Sequence, residues 1–322
     1  MPTTNSSAQS LPSAAWLLSG ASGLLGSALR RALTGQGQRS LQLVRHAQGS
    51  ADEILWNPVA ENPLHAVDSL EGLGVAVHLS GANVGAHLWT EDYKREMTES
   101  RVGSTAALAR LLAGLRRPPA TLIVASAVGI YGNRYEEFLD ENSQPGHGFL
   151  AELCQQWESA AEPARAAGIR VVHLRLGVIL APRGGALQRL LPLFRLGLGG
   201  ALGSGQQWMS WVGLADAVRA ILFVAQNKNL SVPVNLVAPE PVRNRDFTRR
   251  LAWHLHRPAL FPAPSFALRL ALGQMAEETL LSSQRAFPSH LLKNGFEFLH
   301  PRLDLALRSA LGNFSDGKSA LS

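Results

Sequence analysis

Three evenly spaced glycines near the start of the chain constrain the fold more than any other feature of the sequence. Gly20, Gly23 and Gly26 follow an apolar run at 14–18, and a helix-like segment at 27–33 comes directly after them. In such a strand–loop–helix unit the first glycine allows a tight turn. The second lets a dinucleotide pyrophosphate approach the backbone, and the third lets the helix pack on the strand. The helix N-terminus then favours the anion. We therefore predict dinucleotide contacts from Gly20, Ser22, Gly23, Leu24, Leu25 and Gly26; the alternative is a turn that only ends a strand.

The first half of the chain alternates short apolar runs with longer helical patterns. Further strands are predicted at 40–44, 75–79, 122–125 and 171–174, and helices at 90–115 and 149–166. Thr90, followed by two acids, is the predicted cap of the first of these helices. Strands that alternate with helices favour a parallel, doubly wound sheet, so the predicted fold class is Rossmann-like α/β.

The sequence changes character beyond Gly177, where glycine-rich loops and proline-broken helices replace the alternation. We predict a lobe boundary near Leu176. Residues 14–176 would form the dinucleotide-binding domain, and 177–312 a smaller, mostly helical substrate lobe over the cofactor cleft. Residues 1–13 are predicted to be a disordered tail and 313–322 a polar tail.

Composition narrows the functional classes. The 322 residues are 46% hydrophobic and 17% charged, which suits a globular protein with a large core. The single cysteine, Cys154, excludes an internal disulfide and fits a reducing compartment. The polar start and the lack of a long apolar run predict a cytoplasmic protein without a membrane span. The net charge of +6 comes from dispersed arginines, so we predict no nucleic-acid partner. The histidines lack metal-ligand spacing, and a homodimer is left open.

The end of the second predicted strand bears on the choice of cofactor. An acid there would accept hydrogen bonds from the adenosine ribose and select NAD. This chain has Arg45 and His46 instead. Because a guanidinium can hold a phosphate bidentately, the sequence predicts NADP, with Arg45 on the 2′-phosphate. The alternative is an ordinary exposed arginine after a strand.

Segments along Ala14 to Leu311 carry a family resemblance. They are Val77–Gly81, Trp89 with Lys94, Ser100–Val102, Ser126–Gly132, Phe149–Glu152 with Trp157 and Glu158, Arg175–Val178, Leu198–Gly200, Gln206–Trp211, Pro264–Gly273, Gln284 with Arg285, and Gly295–Phe298. With these segments the chain resembles the extended short-chain dehydrogenase/reductase superfamily. Within it, the chain is similar to the sugar-nucleotide epimerase-like branch with its characteristic C-terminal domain. Some members of that branch are labelled cell-division-inhibitor-like.

The resemblance implies a bound NADP and a further set of contacts to it. These implied cofactor residues are Leu79, Ser80, Gly81, Glu96, Arg101, Gly177 and Val178. Arg101 stands where other members carry asparagine, and Glu96 lies on the same predicted helix. On the residues alone, Arg101 is equally an arginine on a helix surface.

The catalytic pair of the superfamily is missing. A Tyr-x-x-x-Lys pair lets the lysine lower the tyrosine pKa, so that the phenol exchanges a proton near neutral pH. None of the tyrosines at 93, 131 and 135 has a lysine four residues later. Ser126 and Tyr131 are the remaining catalytic candidates, and the alternative is a strand-end serine and a packed aromatic.

A glycine-bounded loop at 206–211 concentrates polar and aromatic side chains. Such a surface can stack a base or sugar ring. We predict substrate contacts from Gln206, Trp208, Ser210 and Trp211. The alternative is a loop that packs the lobes together.

Two functions fit these observations. The first is an NADP-dependent epimerase or oxidoreductase that acts on a nucleotide-linked sugar or a similar polyol with an atypical active site. The second is a non-catalytic NADP-binding regulator linked to cell division.

Overall fold

The computed structural model describes residues 15–60, 64 and 67–315, with side chains to residue 312. The predicted tail at 1–13 lies outside the described residues, as do positions 316–322 of the predicted polar tail.

The described part of the chain forms strands and helices in alternation. The strands are β1 (Trp16–Ser19), β2 (Ser40–Val44), β3 (Glu53–Leu55), β4 (Val75–His78), β5 (Thr121–Ala127), β6 (Phe138–Leu139), β7 (Arg170–Leu176), β8 (Val178–Leu180), β9 (Trp208–Met209), β10 (Trp211–Gly213), β11 (Val234–Leu236), β12 (Val242–Arg243) and β13 (Arg285–Ala286). The α-helices are α1 (Leu24–Gly35), α2 (Glu91–Thr98), α3 (Ser104–Ala113), α4 (Phe149–Ser159), α5 (Glu162–Ala166), α6 (Gly185–Arg195), α7 (Leu214–Gln226), α8 (Asn244–Leu255), α9 (Ser265–Leu272), α10 (Ser289–Lys293) and α11 (Leu303–Ser315). Short 3₁₀ turns span Val67–Leu70 and Val128–Tyr131, and π-helical turns span Glu99–Gly103 and Ala276–Leu280.

Seven strands form one parallel sheet in the order β3-β2-β1-β4-β5-β7-β11. Trp16 in β1 pairs with Ser40 on one side and with Val75 on the other. The strand order reverses beside β1, so a crevice opens between the carboxyl ends of β1 and β4, where open α/β sheets bind their ligands. This topology confirms the predicted Rossmann-like, doubly wound α/β fold.

The sheet is buried on both faces because its strands are apolar at successive positions. Neighbouring side chains point to opposite faces: Leu18 and Val77 pack into the core that contains α1 and α7, and Leu17 and Ala76 into the core that contains α3 and α5. The two layers fix the carboxyl ends of the strands, and therefore the crevice.

The region beyond Leu176 is helical, as predicted, with its own core around Trp211, α6, α8 and α11. It also returns to the sheet, because β11 pairs with β7 and α7 packs against α1. The division into lobes at Leu176 stays a prediction.

The predicted helix at 149–166 is two helices, since Pro163 lacks the N–H donor that a continuous helix needs. The predicted cap at Thr90 is confirmed, because its hydroxyl accepts from the Tyr93 N–H at 3.2 Å.

Candidate functional site

Two of the loop glycines are required by the protein's own backbone. Gly20 has φ +69°, and a Cβ there would lie 2.8 Å from the carbonyl carbon of Leu79. A Cβ on Gly26 would lie 2.1 Å from the Gly20 oxygen. These glycines hold β1, β4 and α1 together at the crevice.

Gly23 is less constrained than Gly20 and Gly26, because a Cβ there would have a single tight neighbour. It has ordinary extended backbone, φ −71° and ψ 173°, and it is the N-cap of α1 with no side-chain cap. A Cβ would meet only the Gly20 oxygen, at 3.3 Å. Ser22 and Gly23 are exposed, whereas Leu25 is in the core, so Leu25 offers a ligand no side-chain contact. Leu24 is half-buried against Gly184 and Gly185.

The loop after β4 is fixed to β1 by a buried hydrogen-bond chain. Ser80 donates to the Ser19 hydroxyl at 3.0 Å, and Ser19 lies 2.5 Å from His78 Nδ1. His78 Nε2 lies 3.0 Å from the Ser104 hydroxyl, which itself donates to the Ser100 carbonyl at 2.6 Å. The network therefore assigns the proton to Nε2. Burial lowers the pKa of His78 to about 4, so the ring is neutral at pH 7. Leu79, Ser80 and Gly81 are thereby held at the switch point.

Arg45 and His46 lie where β2 ends, on the strand next to β1. Both side chains are exposed, and neither hydrogen-bonds or ion-pairs with any residue that the structure describes. The following loop is held by Glu53, which accepts from the Gln48 N–H at 2.6 Å. Arg45 is thus free to meet a ligand at this edge of the crevice.

Arg101 and Glu96, two implied cofactor residues of one predicted helix, differ in their burial. Arg101 lies on the π-helical turn and is buried, donating to the carbonyls of Ala82 at 2.8 Å and Met97 at 3.3 Å. Glu96 is exposed on α2, and no hydrogen bond or ion pair joins the two. Arg101 therefore belongs to the crevice wall, whereas the Glu96 side chain is exposed on α2.

Gly177 and Val178 lie at the carboxyl end of β7, on the far side of the crevice. A Cβ on Gly177 would lie 2.6 Å from the Ser210 oxygen, and the Val178 N–H donates to that oxygen at 2.9 Å. This segment is held by backbone contacts with Ser210, the residue before β10.

Tyr131 and Ser126 belong to one buried network. Ser126 donates to Glu158 at 2.8 Å, and Arg175 forms a two-bond ion pair with Glu158 at 2.9 and 3.0 Å. The Tyr131 hydroxyl donates to Asn235 at 2.7 Å and accepts from Arg175 at 3.1 Å. Burial raises the pKa of Tyr131 to about 12, although Arg175 opposes the rise. Both hydroxyls are already used inside the protein.

The start of α4 carries neither a phenol nor an amine toward β5. Leu150 and Cys154 lie against Gly129, where a Cβ would be 3.5 Å from Leu150 Cβ and 4.0 Å from Cys154 Sγ. Burial raises the pKa of Cys154 to about 12, so its thiol is not a nucleophile at pH 7. Glu278, from the C-terminal region, caps this helix by accepting from the N–H groups of Phe149 at 3.1 Å and Leu150 at 2.8 Å.

The predicted substrate loop divides into a buried half and a surface half. Trp211 is fully buried, and its indole donates to the Glu240 carbonyl at 2.8 Å. The Ser210 hydroxyl donates to the Gln284 carbonyl at 2.8 Å and is buried. The polar atoms of both side chains are therefore occupied by hydrogen bonds to carbonyl groups further along the C-terminal region.

The surface half carries a cation–aromatic cluster that the sequence did not predict. Trp208 is half-buried, with the guanidinium carbons of Arg243 and Arg285 at 4.7 and 4.4 Å from its ring centre. Its indole donates to Glu136 at 3.0 Å. Gln206 is exposed and accepts from Arg243 at 3.1 Å. Arg243 and Arg285 lie far from Trp208 in the sequence, so no spacing pattern could have predicted the cluster.

Two further observations concern other kinds of site. Within the described ranges, no group of three or more His, Cys, Asp or Glu side chains is arranged to hold a metal ion. None of the described helices has the length and apolar character needed to cross a bilayer. The predicted cytoplasmic location and the lack of a nucleic-acid partner stay predictions.

The sequence and structure are similar to those of known proteins over almost the whole chain. The model of the NAD dependent epimerase/dehydratase family matches residues 16–236, and that of a domain of unknown function, DUF1731, matches residues 263–310. An epimerase family protein of Mycobacterium bovis is 44% identical over 291 residues, covering 90% of this chain and 95% of the relative. The epimerase family protein YfhF of Bacillus subtilis is 33% identical over 301 residues, covering 92% of this chain and 97% of the relative.

Solved structures show the same similarity over almost the whole chain. The human epimerase family protein SDR39U1 (isoform 2), crystallised with NADPH, aligns with a TM-score of 0.86 and 28% identity, over 93% of this chain and 99% of that one. A nucleoside-diphosphate sugar epimerase of Corynebacterium glutamicum aligns with a TM-score of 0.76 and 35% identity, over 95% of this chain and 61% of that one.

The fold and the glycine loop define a Rossmann-type α/β protein with a ligand crevice at the switch point of its sheet. The chain belongs to the NAD dependent epimerase/dehydratase family, and its C-terminal region carries the DUF1731 domain. The predicted resemblance to epimerase-like proteins with a characteristic C-terminal domain is confirmed.

Proposed function

We propose that this protein binds NADP(H) in the crevice between β1 and β4 and acts as an epimerase or oxidoreductase on a nucleotide-linked sugar or similar polyol. The observation that carries the proposal is the contrast among the loop glycines. Gly20 and Gly26 are required by backbone contacts inside the protein. A Cβ on Gly23 would meet only the Gly20 oxygen, at 3.3 Å, and the exposed backbone of Gly23 at the N-terminus of α1 is open to a pyrophosphate.

The preference for NADP(H) rests on Arg45. Its exposed guanidinium, at the end of β2 and without a partner among the described residues, suits a 2′-phosphate. No acid stands at 45 or 46 to accept from a ribose hydroxyl. The similarity to SDR39U1, which was crystallised with NADPH, supports the same choice.

The chain would position the cofactor mainly through backbone. Ser22 and Gly23 would hold the pyrophosphate, the Leu79–Gly81 loop would line the crevice, and Gly177 would approach from the opposite side. When bound, NADP(H) supplies a hydride donor or acceptor. Rigid walls suit this task, since the bonds from Ser80 through His78 to Ser104 fix the crevice before any ligand arrives.

Proton transfer differs from that in the superfamily at large. Tyr131 and Ser126 remain the predicted catalytic residues, but their hydroxyls bond to Asn235 and Glu158 inside the protein. This geometry favours a positioning role, in which the two residues fix β5 against α4 and β7. The substrate itself, or a residue of the second lobe, would then exchange the proton.

The second lobe would bind the rest of the substrate. Gln206 and Trp208 remain as its predicted contacts, together with the adjacent Arg243 and Arg285. Ser210 and Trp211 would shape this surface from beneath, because their polar atoms are already bonded.

A non-catalytic NADP-binding regulator is the second candidate. It is favoured by α4, which presents Leu150 and Cys154 where the proton-transfer pair of the superfamily would be needed. Such a regulator would bind NADP at the same site but would not catalyse a reaction.

One experiment tests the cofactor, and a second separates the two candidates. Purified protein is denatured, and the released nucleotide is identified by mass; NADP(H) is expected, and titration of stripped protein with NADPH should saturate. Protein that binds neither NADPH nor NADH overturns the proposal. Stereospecific transfer of deuterium from labelled NADPH to any member of a nucleotide-sugar and carbonyl panel supports the enzyme. If no transfer occurs while depletion lengthens cells and Tyr131→Phe protein rescues them, the regulator is supported.

A further inference from the structure

A cavity separate from the crevice lies between α1, α7 and α11. Its volume is about 370 Å³, which is large enough for a small organic molecule. The ends of β8 and β10 and the segment before α11 complete its walls. The cavity shares no lining residue with the predicted cofactor and substrate contacts. A ligand bound there would therefore be recognised by a different set of side chains.

The walls of this cavity are made mainly of short apolar side chains. Ala28 comes from α1, Ala215 and Val218 come from α7, and Ala306 and Ala310 come from α11. Because protein interiors are normally packed closely, room between three helices is left only where their facing side chains are small. The apolar lining suits the hydrocarbon part of a ligand, which gains free energy by leaving water.

The polar side chains that line the cavity can all donate hydrogen bonds, and no acidic side chain lines it among the described residues. These polar residues are Arg31, Arg219, His300 and Ser309. Arg31 is exposed on α1, and no hydrogen bond or ion pair joins it to another residue that the structure describes. The lining is therefore complementary to a hydrogen-bond acceptor that carries negative charge.

His300 brings an unsatisfied nitrogen to the cavity. Its Nδ1 is buried and has no hydrogen-bond partner in the described part of the chain, although it lies 3.4 Å from Asp216 Oδ2. The Asp216 carboxylate already accepts from the backbone N–H groups of Leu299 at 2.7 Å and His300 at 2.9 Å. A buried nitrogen without a partner lowers stability, so a ligand atom that bonds to it gains affinity.

The charges around the cavity do not balance. Arg219 pairs with the fully buried Asp216 at 3.3 Å, so these two charges offset each other. Arg31 has no such partner and leaves one positive charge in excess at the cavity.

We propose that this cavity binds a small organic acid, whose carboxylate pairs with Arg31 and whose apolar chain or ring lies against the alanine-rich walls. A neutral apolar molecule would leave Arg31 without a counter-charge. Inorganic phosphate would leave the apolar walls without a contact. This binding site does not depend on the proposed function, because its lining and its ligand both differ from those of the crevice.

The test uses the full chain, with octanoate and benzoate as probes. Both should bind in calorimetric titrations and should raise the Tm. Octanol, benzamide and inorganic phosphate each lack one half of the expected ligand, so they should bind at least about tenfold more weakly. Octanoate should bind equally well in the presence of saturating NADPH, because the cavity lies outside the crevice.

Two variants locate the bound acid. Arg31→Gln should raise the Kd for octanoate about tenfold or more, through loss of a hydrogen bond between charged groups. The matched control is Arg30→Gln, since Arg30 also lies on α1 but bonds to Gln42 and does not line the cavity. It should leave the Kd unchanged. Ala215→Trp adds a large side chain at an exposed position of the wall, so it should abolish binding while the Tm of the unliganded protein stays near that of wild type.

Failure of both carboxylates to bind overturns the proposal. Octanoate binding that survives both Arg31→Gln and Ala215→Trp, or that NADPH displaces, also overturns it, because the acid then lies on another surface. Equal affinity for octanol and octanoate contradicts the role of Arg31. If octanoate binds as expected but no dinucleotide does, the cavity site stands and the proposed function fails.

Discussion

The α-carbon of Gly26 lies so close to the carbonyl oxygen of Gly20 that a Cβ there would be 2.1 Å away. That oxygen also accepts from the Gly23 N–H at 3.0 Å, so the three glycines form one tight turn. A methyl group at Gly26 would have to displace backbone at the end of β1.

This geometry predicts opposite failures for two glycine substitutions. Gly26→Ala should lower the free energy of unfolding by several kcal/mol or prevent folding, because backbone has to move. Gly23→Val should lower the Tm far less than Gly26→Ala, because a Cβ at Gly23 would be 3.3 Å from the Gly20 oxygen and not 2.1 Å. It should lose both NADPH and NADH, because its side chain would fill the space for the pyrophosphate. Thermal unfolding and calorimetric titration measure the two effects. A Gly23→Val protein that binds dinucleotide normally would contradict the site.

Arg45 should decide between the two dinucleotides. We expect Arg45→Ala to weaken NADPH binding by ~1.5–3 kcal/mol, the scale of a hydrogen bond to a charged group. That is about ten- to a hundred-fold in Kd. NADH lacks the 2′-phosphate, so its affinity should stay within about twofold. Equal losses for both nucleotides would show that Arg45 supports the fold or the adenine instead.

The ion pair of Glu158 with Arg175 should be a large local contributor to stability. The side chains are 13% and 9% exposed, so Glu158→Gln would leave a buried guanidinium without its counter-charge. We expect a loss of ~3–5 kcal/mol in the free energy of unfolding. Unfolding by guanidinium chloride measures this loss of stability. The double variant Glu158→Gln/Arg175→Met should recover part of it. No recovery would mean that the two side chains stabilise the fold independently.

Two buried histidines should make the protein sensitive to mild acid. Burial lowers the pKa of both His78 and His173 from 6.5 to about 4. Between these values the unfolded chain binds protons that the folded chain does not, so stability is lost as the pH falls from 6.5 towards 4. Each histidine contributes ~3 kcal/mol to this loss.

Denaturant titrations at pH 7.5 and pH 5 check this prediction. His173→Leu should remove about half of the acid-induced loss of stability that the two histidines cause. It also removes a buried Nδ1 that has no hydrogen-bond partner among the described residues. An unchanged pH dependence in His173→Leu would show that other groups cause the acid sensitivity.

Tyr131→Phe distinguishes a positioning role from a catalytic one. The variant loses the hydrogen bonds to Asn235 and Arg175, so the free energy of unfolding should fall by ~1–3 kcal/mol. NADPH affinity should be unchanged, as measured by calorimetry. If a substrate is found and Tyr131→Phe loses turnover at unchanged stability, Tyr131 is the proton donor after all.

Local sequence was sufficient for the fold and for the position of the glycine loop at the crevice. The glycine spacing, the apolar strands and the cap at Thr90 act within a few residues of one another, so their structural consequences follow from spacing alone. Arg45 was predictable in the same way, because the residue after β2 always lies beside the crevice in this topology.

Burial and long-range partners were not accessible from spacing. Trp211 and Ser210 belong to a polar, aromatic loop that suits a ligand surface, yet both side chains are buried. Tyr131 and Asn235 are 104 residues apart in the sequence, and the Tyr131 hydroxyl donates its proton to the Asn235 side chain. The sequence could not show that this donor is already occupied. The sequence left Arg101 open between a cofactor contact and an arginine on a helix surface, and the structure shows its side chain buried on the π-helical turn.

The sequence by itself determined the strand–glycine–helix unit, the parallel sheet and the absence of the Tyr-x-x-x-Lys pair, since each depends on residues close together in the chain. Only the tertiary structure decided which polar groups remain free for a ligand. A hydroxyl, guanidinium or carboxylate is available or occupied according to what packs against it, and most of those partners come from other strands and helices. For this reason Arg45 and Arg101 stand out as cations at the crevice with no carboxylate partner in the described part of the chain, whereas Ser126, Tyr131 and Arg175 are bonded within one buried network.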